Sequence, residues 1–201
     1  MASRILDVDL DNFHLVPREC RATVYWEMEH VDPEVNARFQ KEEWLSSTLL
    51  EWGRCGKLLV AENGAGMEAE GIGFAEYAPP TLFARLQDFE AAQDASDDAV
   101  YLAYVYIEDG WRGQGLGSVL LRAVARDAVD RGYAAVEAVG DRRSRGRDWV
   151  LPVTFLGANG FRVVRDDERH PLLRLDLRGR EDTLVNLTER QIPSYEPDPA
   201  G

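Results

Sequence analysis

Cysteine is scarce in this sequence: Cys20 and Cys55 are the only two in 201 residues. Two such thiols give neither a disulfide framework nor a zinc-ligand spacing, and they indicate reduced cysteines in a cytoplasmic protein. Histidine is nearly as scarce. His14, His30 and His170 share no spacing with one another or with a cysteine or carboxylate, so no metal is expected. No run approaches the ~18 apolar residues of a membrane helix. Residues 1–10 alternate charged and apolar side chains and lack the apolar core of a signal peptide. Neither export nor a membrane partner is expected. Basic charge is short as well: 23 Lys and Arg stand against 36 Asp and Glu, a net charge of −13. A nucleic-acid surface needs a basic face, so no nucleic-acid partner is expected either. An acidic surface serves solubility, or it attracts cationic small molecules and basic peptides.

What is present suits one globular domain, with 45% apolar and 29% charged residues. Phe13–Val16 reads as a short strand. Asp32 and Pro33 read as the cap and first turn of a helix whose apolar positions are Val35, Phe39, Trp44, Leu45, Leu49 and Trp52, ended by Gly53 or Gly56. Residues 57–62 and 71–77 read as strands joined through Asn63, Gly64 and Gly66 into a hairpin. Residues 81–99 are acidic and alanine-rich and are expected to be a mobile connection. Val100–Ile107 is apolar and aromatic throughout, as a central strand would be. A helix over 115–131 stops at Gly132. Strands over 133–139, 161–164 and 172–177 and a short helix near 150–158 complete a domain of residues 1–178. Residues 179–201, with Pro193, Pro197 and Pro199 and little apolar content, read as a disordered tail.

The chemistry concentrates at Val105-Tyr106-Ile107-Glu108-Asp109-Gly110-Trp111-Arg112-Gly113-Gln114-Gly115-Leu116-Gly117. Closely spaced glycines let consecutive backbone N–H groups face one concavity, and the following helix adds its unpaired N–H groups and positive dipole end. That combination binds an anion, most naturally a pyrophosphate; the plainer alternative is a turn that only connects strand to helix. No Lys-Ser/Thr follows the glycines and no G-x-G-x-x-G is present, so neither nucleotide fingerprint applies.

The run Arg112-x-x-Gly115-x-Gly117 after an apolar strand resembles the pyrophosphate-binding motif of the GCN5-related N-acetyltransferases. FLGANGF at 155–161 resembles that family's second motif, and Pro171–Leu175 its last strand. The order of elements from about residue 13 to 178 is similar throughout. The resemblance implies an α/β fold with a mixed, mostly antiparallel sheet of six to seven strands, helices on both faces, and strands splayed at a cofactor cleft. It implies acetyl-coenzyme A as co-substrate and no metal. Val105, Tyr106 and Ile107 would offer backbone groups to the pantetheine arm. The N–H groups of Arg112, Gly113, Gln114, Gly115, Leu116, Gly117 and Ser118 would take the pyrophosphate, and a strand N–H would serve as oxyanion donor.

The sequence also departs from that pattern. Leu156 stands where many members carry a tyrosine that protonates the thiolate, Trp149 where an asparagine is frequent, and Tyr101 or Leu102 where some hold a base carboxylate. The remaining candidates are Glu76, an acid on an apolar strand that is either surface-facing or the general base, and Tyr104, whose hydroxyl can relay a proton. Arg142, Arg143, Arg145 and Arg147 form the one basic cluster, a solvated loop or an anion contact. Tyr25 and Trp26 are core residues or line an acceptor pocket. The resulting expectation is acetyl transfer to a primary amine of a small-molecule or peptide acceptor, cationic in character, by direct attack. The other class considered is a coenzyme A-binding sensor or assembly domain without chemistry. A toxin acting on charged tRNA is disfavoured by the charge. A homodimer is left open.

Overall fold

A computed structural model describes residues 2–30, 35–62, 69–93, 95–144 and 149–178. The chain opens with a strand, β1 (Ala2–Asp7), that hydropathy at residues 1–10 did not announce. It is an edge strand, paired along its whole length with β2 (Gly56–Glu62). Phe13–Val16 is not a strand. Asp9 and Asn12 exchange side-chain to backbone hydrogen bonds at 2.9 and 3.1 Å, which curl the chain into a 3-10 turn at Phe13–Leu15. A one-turn helix, α1 (Arg18–Arg21), follows. Helix α2 (Ala37–Glu51) begins later than its sequence pattern suggests. Asn36 is its cap, accepting the Arg38 N–H at 2.9 Å, and Val35 lies outside the helix and exposed. Asp32 and Pro33 fall outside the described residues, as does the turn at 63–68.

β2 forms a hairpin with β3 (Glu70–Ala78). At the 81–99 connection, the segment over 80–93 folds as three short 3-10 turns and packs into the core. Phe83, Leu86, Phe89 and Ala92 are buried, and their three-residue spacing is the period of a 3-10 helix. The Phe83 ring lies 5.4 Å from the rings of both Trp44 and Tyr101. Arg85 ties the segment down by donating to the carbonyls of Tyr25, Met28 and Glu29. The acidic residues Asp88 and Glu90 point outward.

Strand β4 (Ala99–Ile107) is central. After it come α3 (Leu116–Asp130), β5 (Ala135–Asp141), the two-residue β6 (Leu151–Pro152), α4 (Val153–Ala158), β7 (Arg162–Arg165) and β8 (Leu172–Asp176). The sheet runs β1-β2-β3-β4-β5-β8-β7, with β6 an eighth strand on β5. Among the described residues, only the β4/β5 and β5/β6 pairs are parallel. Helices cover both faces: α2 and the 80–93 turns over one buried layer, α3 and α4 over the other.

One irregularity decides which side chains meet. Glu76 pairs with Tyr104 but Tyr77 pairs with Leu102, so Ala103 is an extra residue, a bulge. The bulge resets the alternation of β4. Tyr101 and Tyr104 face the α2 layer, while Leu102 and Val105 face α3.

If the 80–93 connection is core, Phe83→Ala should lower unfolding free energy by about 3–5 kcal/mol, read from urea denaturation. A loss below ~0.5 kcal/mol would mean that the ring contributes little to the core.

Candidate active site

The site begins where β4 and β5 part. They pair only at Ala99↔Ala135, Val100↔Val136 and Tyr101↔Glu137. Further along, β6 takes over that side of β5 at Gly140 and Asp141. The opening is a cleft of about 350 Å³, floored by Val105–Ile107 of β4, walled on one side by Leu151, Pro152 and Phe155, and closed at its end by the turn before α3. Val105, Tyr106, Ile107, Arg112, Gly113, Gly115, Leu116, Gly117 and Ser118 all line it; Gln114 lies in the same turn, exposed.

The turn needs its glycines for two different reasons. Gly113 and Gly115 sit at φ +78° and +77°, where a side chain is strained although nothing lies within 4 Å of a Cβ there. Gly117 has ordinary dihedrals, but its Cβ would come 3.3 Å from the Phe155 ring. Among the described residues, the N–H groups of Gly113 to Gly117 donate to no backbone carbonyl, whereas those of Ser118 and Val119 return to Gly115 at 3.1 and 3.2 Å. Consecutive free N–H groups at the start of a 15-residue helix favour an anion. Arg112 braces the turn with its side chain: Nε donates to the Ile107 carbonyl at 2.8 Å and the guanidinium meets Asp109 at 3.0 Å.

On the opposite face of β4 lies a buried polar group. Glu76 is 1% exposed and Tyr104 2%. The Tyr104 hydroxyl donates to Glu76 Oε2 at 3.4 Å and accepts from Lys41 Nζ at 3.3 Å. Lys41 also contacts Glu76 Oε2 at 2.5 Å and pairs with Glu27. The sequence reading missed Lys41 and Glu27. A signal existed: Lys41 shares a helical stripe with Trp44, Leu45 and Thr48, all buried. Burial, and next the neighbouring Glu27, push the Glu76 carboxyl well above the usual range against the pull of Lys41. Burial likewise raises Tyr104, which stays a neutral proton donor.

Other candidates fall elsewhere. Leu156 is buried in the α3 layer. Trp26 is core, 5.1 Å from the Phe89 ring and 5.4 Å from Tyr101, and Tyr25 stands edge-on to it. Trp149 lies 5.1 Å from the Tyr104 ring and 6.4 Å from Tyr106. Arg142 and Arg143 pair with Asp166 and Glu168 and do not line the cleft; Arg145 and Arg147 are outside the described residues. Residues 95–99 lead into the N-terminal end of β4, the end away from the glycine turn. Beside the cleft-lining Tyr106 and Arg112 lie Glu108, hydrogen-bonded by Tyr106 at 3.2 Å, Glu19 and Asp109. Burial and then Glu19 raise the Glu108 carboxyl. Cys20 and Cys55 are buried, and burial pushes both thiols up. Among the described residues, no group of three His, Cys, Asp or Glu could hold a metal, and no helix is long and apolar enough to cross a membrane.

The sheet is parted beside its central strand, and a glycine turn feeds a helix into the gap. The sequence matches the family model for the acetyltransferase (GNAT) family over residues 23–146, and the chain belongs to that family. It is an N-acetyltransferase, and the family uses acetyl-coenzyme A. Solved structures share the fold at low identity. An N-acetyltransferase from Staphylococcus aureus Mu50 is 14% identical, with TM-score 0.55 over 89% of this chain and 100% of that one. PaiA N-acetyltransferase from Thermoplasma acidophilum, solved in complex with coenzyme A, is 14% identical, with TM-score 0.52 over 88% and 99%. A ribosomal-protein-alanine N-acetyltransferase from Brucella melitensis is 17% identical, with TM-score 0.51 over 86% and 99%. No curated protein matches the sequence.

Gly115→Asp adds a carboxylate to the turn before α3, with nothing within 4 Å of its Cβ but at a φ that strains any side chain. Calorimetry should show coenzyme A binding to the parent chain and a loss of ~100-fold or more in the variant, with the fold retained. Unchanged affinity would place the cofactor elsewhere.

Proposed function

We propose that this enzyme transfers an acetyl group from acetyl-coenzyme A to a primary amine of a cationic acceptor by direct attack, with Glu76 as general base and Tyr104 as relay. The observation that carries the reading is the cleft where β4 leaves β5, ending on five N–H groups without backbone partners. The residues present suit the cofactor. Gly113 and Gly115 leave room beside those N–H groups, and the cleft is apolar along Val105, Ile107 and Phe155, as a pantetheine arm requires. Bound there, acetyl-coenzyme A supplies the thioester. Gly113 to Gly117 would hold its pyrophosphate, and Val105, Tyr106 and Ile107 would present strand backbone groups that β5 leaves unpaired.

An alkyl amine has a pKa near 10.4, so only about one molecule in 2,500 is neutral at pH 7, and a proton must be removed before attack. Once ionised, Glu76 suits that task, because its raised pKa makes the carboxylate a stronger proton acceptor than one at the surface. Tyr104 is the candidate relay because it contacts Glu76 and precedes Val105, a residue that lines the cleft. The buried, protonated cysteines favour direct attack over an acyl-enzyme. A cationic acceptor is supported by the net charge of −13 and by Glu19 and Glu108 beside Tyr106 at the cleft.

Glu76→Gln should lower kcat by ~100-fold or more at pH 7, with partial rescue at higher pH, and Tyr104→Phe should cost less. Steady-state rates against a panel of polyamines, basic peptides and amino sugars test both. A full rate in Glu76→Gln from about pH 6 to 9 would remove it as the base.

A further inference from the structure

We infer that Glu27, Lys41, Glu76 and Tyr104 together hold one shared, exchangeable proton near neutral pH, and that Glu27 and Lys41 are positioning residues that set the pH at which Glu76 ionises. The catalytic half of this rests on the proposed role of Glu76; the shared proton does not.

Both carboxylates and the ammonium are at most 1% exposed at their side chains. Lys41 Nζ reaches Glu27 and Glu76 at once and lies 5.5 Å and 5.3 Å from the ring centres of Trp44 and Tyr104. Among the described residues, no second cation pairs with either carboxylate. The other titratable groups facing Glu76 are Tyr104, Cys20 and Cys55, and burial keeps all three neutral. With both carboxylates ionised, the group would carry an uncompensated negative charge away from water. A buried charge without a partner takes up a proton instead.

Hydrogen bonding says which carboxylate takes it. Glu27 is served at both oxygens: Lys41 binds Oε1, and the Trp26 N–H donates to Oε2 at 3.0 Å. It is built as an anion. Glu76 receives Lys41 and Tyr104 on Oε2 alone; no N–H or hydroxyl donates to its buried Oε1, and a proton on Glu76 can be donated to the neighbouring Glu27 carboxylate. An anion with a bare buried oxygen is the costlier of the two, so the proton resides on Glu76. The directions of the two shifts agree, Glu27 lowered and Glu76 raised.

The signs follow from the charges. Removing the negative charge of Glu27 eases ionisation of Glu76, so its step moves to lower pH. Removing Lys41 moves it to higher pH. A role confined to holding the fold together would change the amplitude of activity and leave these positions alone.

The sequence makes the test direct, because Lys41 and Lys57 are its only lysines. Protein labelled with 13C at the lysine Cε shows two side-chain signals, which Lys57→Arg assigns. Across about pH 5 to 9, the Lys41 signal should report a one-proton step. The step should vanish in Glu76→Gln and move down by about one unit or more in Glu27→Gln. A parent signal with no step, or a step that survives Glu76→Gln, overturns the shared proton. The acid limb of kcat should sit at the same pH and move with Glu27→Gln. Lys41→Gln should move it upward, and Glu27→Gln alone decides if that variant does not fold. A limb that stays while the NMR step moves keeps the shared proton and removes Glu76 from catalysis.

Discussion

The parallel pairing of β4 and β5 stops after three residues, and both halves of the site follow from that. Up to Tyr101, the two strands share hydrogen bonds. Past it, among the described residues, β4 pairs with no strand other than β3, and β6 and α4 occupy the flank of β5. Free strand backbone inside a fold needs another partner. Here it faces a cleft at whose end the turn before α3 presents further unpaired N–H groups. Side chains hold the opening. Tyr101 turns its hydroxyl toward the Val139 N–H at 3.4 Å. Gly140 lets α4 approach: a Cβ there would come 2.8 Å from Val153 and from Leu173.

The bulge at Ala103 gives the two faces of the opened strand their different characters. On the α3 face, Val105 and Ile107 join an apolar layer suited to a long flexible ligand. On the α2 face, Tyr104 meets Glu76 and Lys41 in a buried polar group. Without the extra residue, Tyr104 would point into the α3 layer. One irregular residue therefore sets an electrostatic site back to back with the binding cleft, a single strand apart.

The glycine turn was legible in the sequence because its constraint is local. Positive φ at Gly113 and Gly115 and the close approach of Gly117 to Phe155 each demand that residue type wherever the chain goes next. The central strand and α3 were legible through hydropathy. Three features were hidden for identifiable reasons. β1 alternates Arg4 with Ile5 because it is an edge strand, and only its pairing with β2 reveals it. The acids of the 81–99 connection mask its period: Phe83, Leu86 and Phe89 recur at three. Glu27 and Lys41 meet across 14 residues of separation, and Glu76 joins them from a distant strand, so no local pattern links them. Lys41 within an apolar stripe was the one available hint.

The central claim is that the opened edge of β4 and the turn before α3 form one continuous binding surface for coenzyme A. Amide NMR of the full chain tests it directly. On addition of coenzyme A, the account predicts the largest shifts at Val105–Ile107 and Gly113–Gly117, with Glu27 and Lys41 on the far face much less affected. Shifts centred on other residues, with these amides unmoved, would contradict it.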